Sequence, residues 1–190
     1  MRHDRGLEPS PFELLRPLAS AGARGLIGEA FGITPGDEAY DSLRMEFLAN
    51  YAASIAVHSC LFDGVHDLLG GIEIRGLQWG IVTNKPALYT DALVPLIRLG
   101  HAGCIISGDT TPHAKPHPAP LFEAANRLSV PPEACLYVGD DERDIVAGLA
   151  AGMKTVAATY GYLGTQSDVQ KWQAHAHIQS PRELEDLISN

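Results

Sequence analysis

Four short apolar runs, at residues 77–82, 103–106, 136–138 and 155–158, constrain this 190-residue chain more than any other feature. Runs this short and apolar offer no polar face to water, so they read as strands buried on both sides. Stretches of helical periodicity lie between and around them, at 65–74, from 88 onward, at 119–128 and at 145–151, with a last helix at 182–188. Strand and helix in alternation describe an α/β fold: a parallel sheet covered by helices on both faces. Ligands of such sheets bind beyond the carboxyl ends of the strands, so reactive side chains are expected there.

The third run leads into Gly139-Asp140-Asp141-Glu142-Arg143-Asp144, which gathers acids where a buried strand opens into a helix. One reading makes Asp140 an N-cap, with Asp141 and Glu142 complementing the helix dipole. The other makes the cluster a seat for a hard cation, since Mg²⁺ takes oxygen ligands. Upstream, the first run ends in Thr83-Asn84-Lys85-Pro86, whose hydroxyl, amide and turn N–H groups suit phosphate oxygens near a helix start. Between the two lies His113-Ala114-Lys115-Pro116-His117-Pro118, a proline-stiffened loop carrying a lysine, a compact charge well matched to phosphate. Singly, each has an ordinary explanation, a capping turn for Thr83-Asn84 and a solvated side chain for Lys115. Hydroxyl, lysine and acid cluster in that order make a joint signal.

That order resembles the haloacid dehalogenase superfamily phosphatases of the phosphoglycolate phosphatase-like branch. Thr83 stands at the family's second motif, Lys115 at its third, and Asp140 and Asp144 at its fourth. The stretches Gly22-Ala23-Arg24, 58–64, 79–86 and Tyr160-Gly161-Tyr162 resemble the group that includes N-acetylmuramic acid 6-phosphate phosphatases. The resemblance implies a Rossmann-like core (63–190) under a helical cap (1–62). It also implies Mg²⁺ held by Asp140 directly and by Asp144 through water, unless Asp144 fixes the lysine instead, and phosphate held by Thr83, Asn84 and Lys115. Hydrolysis of a small phosphate ester would then run through an aspartyl-phosphate. The family's first motif, Asp-x-Asp-Gly-Thr at the end of a central strand, has no counterpart in these residues. Met1 to Pro9 instead reads as the charged last turn of a helix stopped at Gly6, which implies an internal start and a missing first strand. An inactive phosphate-binding or regulatory protein is the alternative that this departure leaves open.

Before residue 62 no strand is expected. Helices are expected at 12–18, 24–31 and 38–57, the last with Tyr40, Leu43, Phe47, Tyr51 and Ile55 on one apolar face and Asp37 as cap. Arg24, in the Gly22-Ala23-Arg24-Gly25 turn, is either a contact for a substrate carboxylate or sugar, or a solvated arginine near a helix start. Lys85 and Asp109 stand at strand ends with no forced role, and Asp141 beside the metal acids is a supporting group. His113, His117 and the His175-x-His177 pair are expected at the surface, not on a metal. A formal charge of −9 argues against a nucleic-acid partner. No apolar segment reaches the length of a membrane span or leads the chain as a signal. Cys60, Cys104 and Cys135 lack metal-ligand spacing and read as reduced thiols of a cytoplasmic protein.

Overall fold

The computed structural model describes residues 1–164 and 168–188. The chain divides into two units, Met1–Ile55 with residues 162–164, and residues 56–161 with 168–188.

The first unit is helical. Helix α1 (Phe12–Leu15) gives way to a 3-10 stretch at Arg16–Ala21, where the expectation was one helix over 12–18. Pro17 supplies the reason, because it has no N–H for the helical ladder. Helix α2 (Gly22–Phe31) starts two residues earlier than expected, so Arg24 lies in its first turn and not in a separate loop. Gly25 permits the close approach there, since a Cβ would sit 2.6 Å from that of Ala21. Helix α3 (Tyr40–Ala53) starts three residues beyond Asp37, which does not cap it. Asp37 instead accepts from the Thr34 N–H (2.6 Å) and hydroxyl (3.0 Å), closing the turn before the helix. Ile27, Tyr40 and Leu43 form the core, with Phe31 and Phe47 against it. At the N-terminus His3–Arg5 forms a single 3-10 turn, ended by Gly6 in the left-handed region (φ 66°).

The second unit alternates as the sequence implied: α4 (Val65–Ile74), β1 (Gly80–Val82), α5 (Ala87–Leu96), β2 (Cys104–Ile106), α6 (Ala119–Leu128), β3 (Leu136–Gly139), α7 (Glu142–Ala150), β4 (Lys154–Ala158), β5 (Ala176–Ile178) and α8 (Arg182–Ile188). All strand pairs are parallel. Side-chain alternation assigns the faces. On one, Val156, Ala158 and Ile178 pack with Leu68 of α4 and Leu184 of α8, and Leu136 and Val138 adjoin them. On the other, Tyr137 and Val82 meet Leu121 and Ala125 of α6 and Ala147 of α7. No helix among the described residues is long and apolar enough to cross a membrane.

Two findings differ from expectation. The strands form two sheets, β1–β2 and β3–β4–β5, with no ladder joining β1 to β3. A fifth strand, β5, also pairs with β4. Its sequence, Ala176-His177-Ile178, has no apolar run to announce it. The ladder from β4 creates it, helped by His175, whose Nδ1 accepts from the Thr155 N–H (3.1 Å) and lies 3.0 Å from the Thr155 hydroxyl. His177 turns its Nε2 to the Val169 carbonyl (3.2 Å), so the His-x-His pair serves the edge strand. His175→Ala should lower unfolding stability by about 1–2 kcal/mol, because it leaves the Thr155 N–H without its partner. Urea denaturation measures this, and an unchanged midpoint would show that the bond contributes nothing net.

Candidate active site

Strand β1 ends by sending the Thr83 N–H to the Ile106 carbonyl of β2 (2.9 Å). Successive backbone groups alternate sides along a strand, so the Val82 carbonyl faces the opposite edge, toward β3. Thr83 closes a local turn, its hydroxyl accepting from the Lys85 N–H (3.1 Å). The Asn84 side chain binds the lysine loop. Its amide donates to the Lys115 carbonyl (2.9 Å) and its Oδ1 accepts from the Lys115 N–H (3.0 Å). This two-bond clamp fixes the lysine loop to the end of β1. Gly108 makes room, since a Cβ there would run into the Asn84 backbone. Asp109 accepts from the Ala87 N–H (2.8 Å) and so supports the start of α5.

Lys115 enters from this clamp with its side chain only 9% exposed. Its ammonium lies 2.7 Å from Asp144 Oδ1, 2.8 Å from the Tyr137 hydroxyl and 2.9 Å from the Val82 carbonyl. On the β3 side the cap of α7 is Asp141, not Asp140. Asp141 accepts from the Arg143 N–H (2.9 Å), and the Asp141 N–H returns a bond to Asp144 Oδ2 (3.2 Å), completing a capping box. Both Asp141 oxygens also take the Arg143 guanidinium, at 2.8 and 2.6 Å. Burial works to raise the Asp141 carboxyl, but the Arg143 hydrogen bonds outweigh it and hold the group below its ordinary value. Burial, and then the charge of Asp144, push the Tyr137 phenol well above its ordinary value, so it stays protonated.

Two glycines shape the carboxylates. A Cβ at Gly139 would collide with the Asp144 carboxyl, and one at Gly161 with that of Asp140. Capping by Asp141 leaves Asp140 outside the box. Asp140 and Asp144 are hard oxygen donors at one strand end, which suits Mg²⁺, an ion usually held by one or two carboxylates with waters and substrate phosphate. Among the described residues no group of three or more acids, histidines or cysteines forms a self-sufficient metal cage. Thr83, Asn84, Lys115, Asp140 and Asp144 all belong to the α/β unit, whereas Arg24 is exposed on α2 of the helical unit. A cavity of 360 Å³ in that helical unit is lined by apolar residues such as Leu15, Leu26, Ile27 and Phe47. Sequence reading missed Tyr137, although an aromatic hydroxyl in an apolar strand needs a polar partner. It also missed the Asn84 clamp and Gly161, whose roles arise from distant segments.

Residues 26–158 match the haloacid dehalogenase-like hydrolase family. The chain belongs to that family. An N-acetylmuramic acid 6-phosphate phosphatase of Pseudomonas putida is 37% identical over all of this chain and 86% of its own length. A phosphoglycolate phosphatase of Xanthomonas campestris is 42% identical over 97% of this chain and 83% of its own. A haloacid dehalogenase-like hydrolase from Streptococcus pneumoniae shares the fold at TM-score 0.80 and 19% identity, covering 98% of this chain and 85% of that one. In this haloacid dehalogenase-like chain the acids after β3 have separate tasks: Asp141 caps, Asp144 pairs with Lys115, and Asp140 stands against Gly161.

Asp144→Asn should cost about 3 kcal/mol of stability, because it leaves the Lys115 ammonium without its countercharge at a largely buried position. Replacing both partners by apolar residues (Lys115→Met with Asp144→Leu) should cost clearly less than Asp144→Asn alone. Chemical denaturation of both variants decides it, and equal losses would show that the pair is screened by solvent.

Proposed function

We propose that the α/β unit carries the phosphate- and cation-binding groups of a Mg²⁺-dependent phosphomonoesterase. Its substrates would be small phosphorylated metabolites, 2-phosphoglycolate or a sugar 6-phosphate such as N-acetylmuramic acid 6-phosphate. The observation that carries the reading is the Lys115 ammonium, clamped through Asn84 and paired with Asp144 at the strand ends. The activities named for the Pseudomonas and Xanthomonas relatives support the same class.

In this reading Lys115 supplies fixed positive charge where phosphate charge must be balanced, and fixed charge in a water-poor site stabilises a transition state strongly. Thr83, at the end of β1, offers its hydroxyl to a phosphate oxygen. Asp140 and Asp144 would hold Mg²⁺, which when bound supplies Lewis-acid stabilisation of phosphoryl oxygens. Asn84 keeps the lysine loop in register with β1, and Asp141, engaged by Arg143, holds α7 in place. The attacking carboxylate is not assigned to any of these 190 residues. We place it on a further strand that ends in Asp-x-Asp. Without such a strand the chain binds phosphate and does not turn substrate over.

The 190-residue chain should therefore release no phosphate above background. A longer chain that adds a strand ending in Asp-x-Asp should hydrolyse phosphate esters, and Asp140→Asn or EDTA should abolish that activity. Turnover by the short chain alone would refute the placement of the nucleophile, and activity indifferent to EDTA would refute the metal.

Substrate choice should rest with the helical unit, since the core groups address only phosphate and cation. Arg24→Ala in the active form should reduce kcat/KM for the physiological substrate by about 1.5–3 kcal/mol. Hydrolysis of p-nitrophenyl phosphate should barely change. Equal losses on both substrates would assign Arg24 to the structure of the helical unit.

A further inference from the structure

Tyr137 places at the strand ends a part-buried hydroxyl that the proposed reaction leaves without a task. Its hydroxyl accepts from the Lys115 ammonium (2.8 Å) and lies 3.3 Å from the Val82 carbonyl and 3.4 Å from Asp144 Oδ1. The Lys115 ammonium also sits 5.4 Å from the centre of the Tyr137 ring. An ammonium has three N–H donors, and here three acceptors surround it: Asp144, the Tyr137 oxygen and the Val82 carbonyl. An anion can bind Lys115 only by taking one of the three.

The three bonds are not equally replaceable. Giving up Asp144 would separate a buried ion pair, which is costly. Giving up the Tyr137 oxygen would leave that hydroxyl without its only charged donor. The Val82 carbonyl differs, because the Tyr137 O–H already stands within reach of it, so releasing the lysine leaves no buried acceptor unmatched. We propose that Tyr137 is a positioning residue for Lys115. With Asp144 it anchors the ammonium through two N–H groups, so that the third, now on Val82, is the one offered to an anion. The anion half of this proposal rests on the phosphatase reading; the anchoring half does not.

Phenylalanine fills the space of tyrosine and removes only the hydroxyl, so Tyr137→Phe is the variant to make in the full 190-residue chain. The first measurement is ligand-free: NMR of the lysine NH₃⁺ groups, with the Lys115 signal assigned by its loss in Lys115→Met. In the wild type that signal should exchange slowly with water. In Tyr137→Phe it should broaden or vanish, while the backbone amide spectrum stays native. The second measurement titrates inorganic phosphate in the presence of Mg²⁺, where Tyr137→Phe should bind about tenfold more weakly, the scale of one lost hydrogen bond, with Mg²⁺ affinity unchanged. A Lys115 signal identical in the two proteins overturns the positioning role. A loosened Lys115 in a chain whose wild type binds no phosphate supports the anchoring and counts against the phosphatase reading.

Discussion

The contact between Lys115 and Asp144 organises the ends of strands β1 and β3. It brings together a loop that belongs to β1, through the Asn84 clamp, and a helix that belongs to β3, through the Asp141 capping box. Each partner is held twice, by backbone as well as by charge. Such a pair need not add much net stability, because desolvating two charges offsets most of their attraction. What it adds is uniqueness of arrangement. Neither charge can be placed elsewhere in this low-polarity setting without leaving the other unmatched, so the ends of two strands from separate sheets are fixed against each other.

This tie matters because no ladder joins β1 to β3. The backbone group at the edge of β1, the Val82 carbonyl, takes its hydrogen bonds from two side chains, Lys115 and Tyr137. These side-chain donors satisfy the carbonyl at the strand edge, since buried acceptors are rarely left unpaired. Sheet architecture and site chemistry therefore meet at one atom. Any backbone N–H that reached Val82 would compete with Lys115 for the same acceptor.

Much of this was legible in the residues. The helices Val65–Ile74, Ala119–Leu128 and Arg182–Ile188 fall where hydrophobic periodicity placed them, because a long amphipathic pattern leaves few alternatives. The strands before Thr83 and before Asp140 were equally plain from their apolar runs. Signals that depended on a single residue fared worse. Asp37 looked like a cap and closes a turn; the reading that made Asp140 a cap yields to Asp141. One side-chain oxygen near a helix start can serve several neighbouring N–H groups, and only the backbone path selects among them. Strand β5 was invisible because a three-residue edge strand takes its pairing from β4, not from its own composition.

By itself, the sequence determined the kind of fold and the residue types available at the strand ends, since these follow from local patterns of polarity and charge. Tertiary structure decided how those residues divide their work. Asn84 holds a loop, Tyr137 and Asp144 hold a lysine, and Gly161 makes room for the Asp140 carboxylate. These roles are pairwise, between positions up to 31 residues apart in the chain. A hydrogen bond or a close contact across that separation exists only once both backbones have been placed.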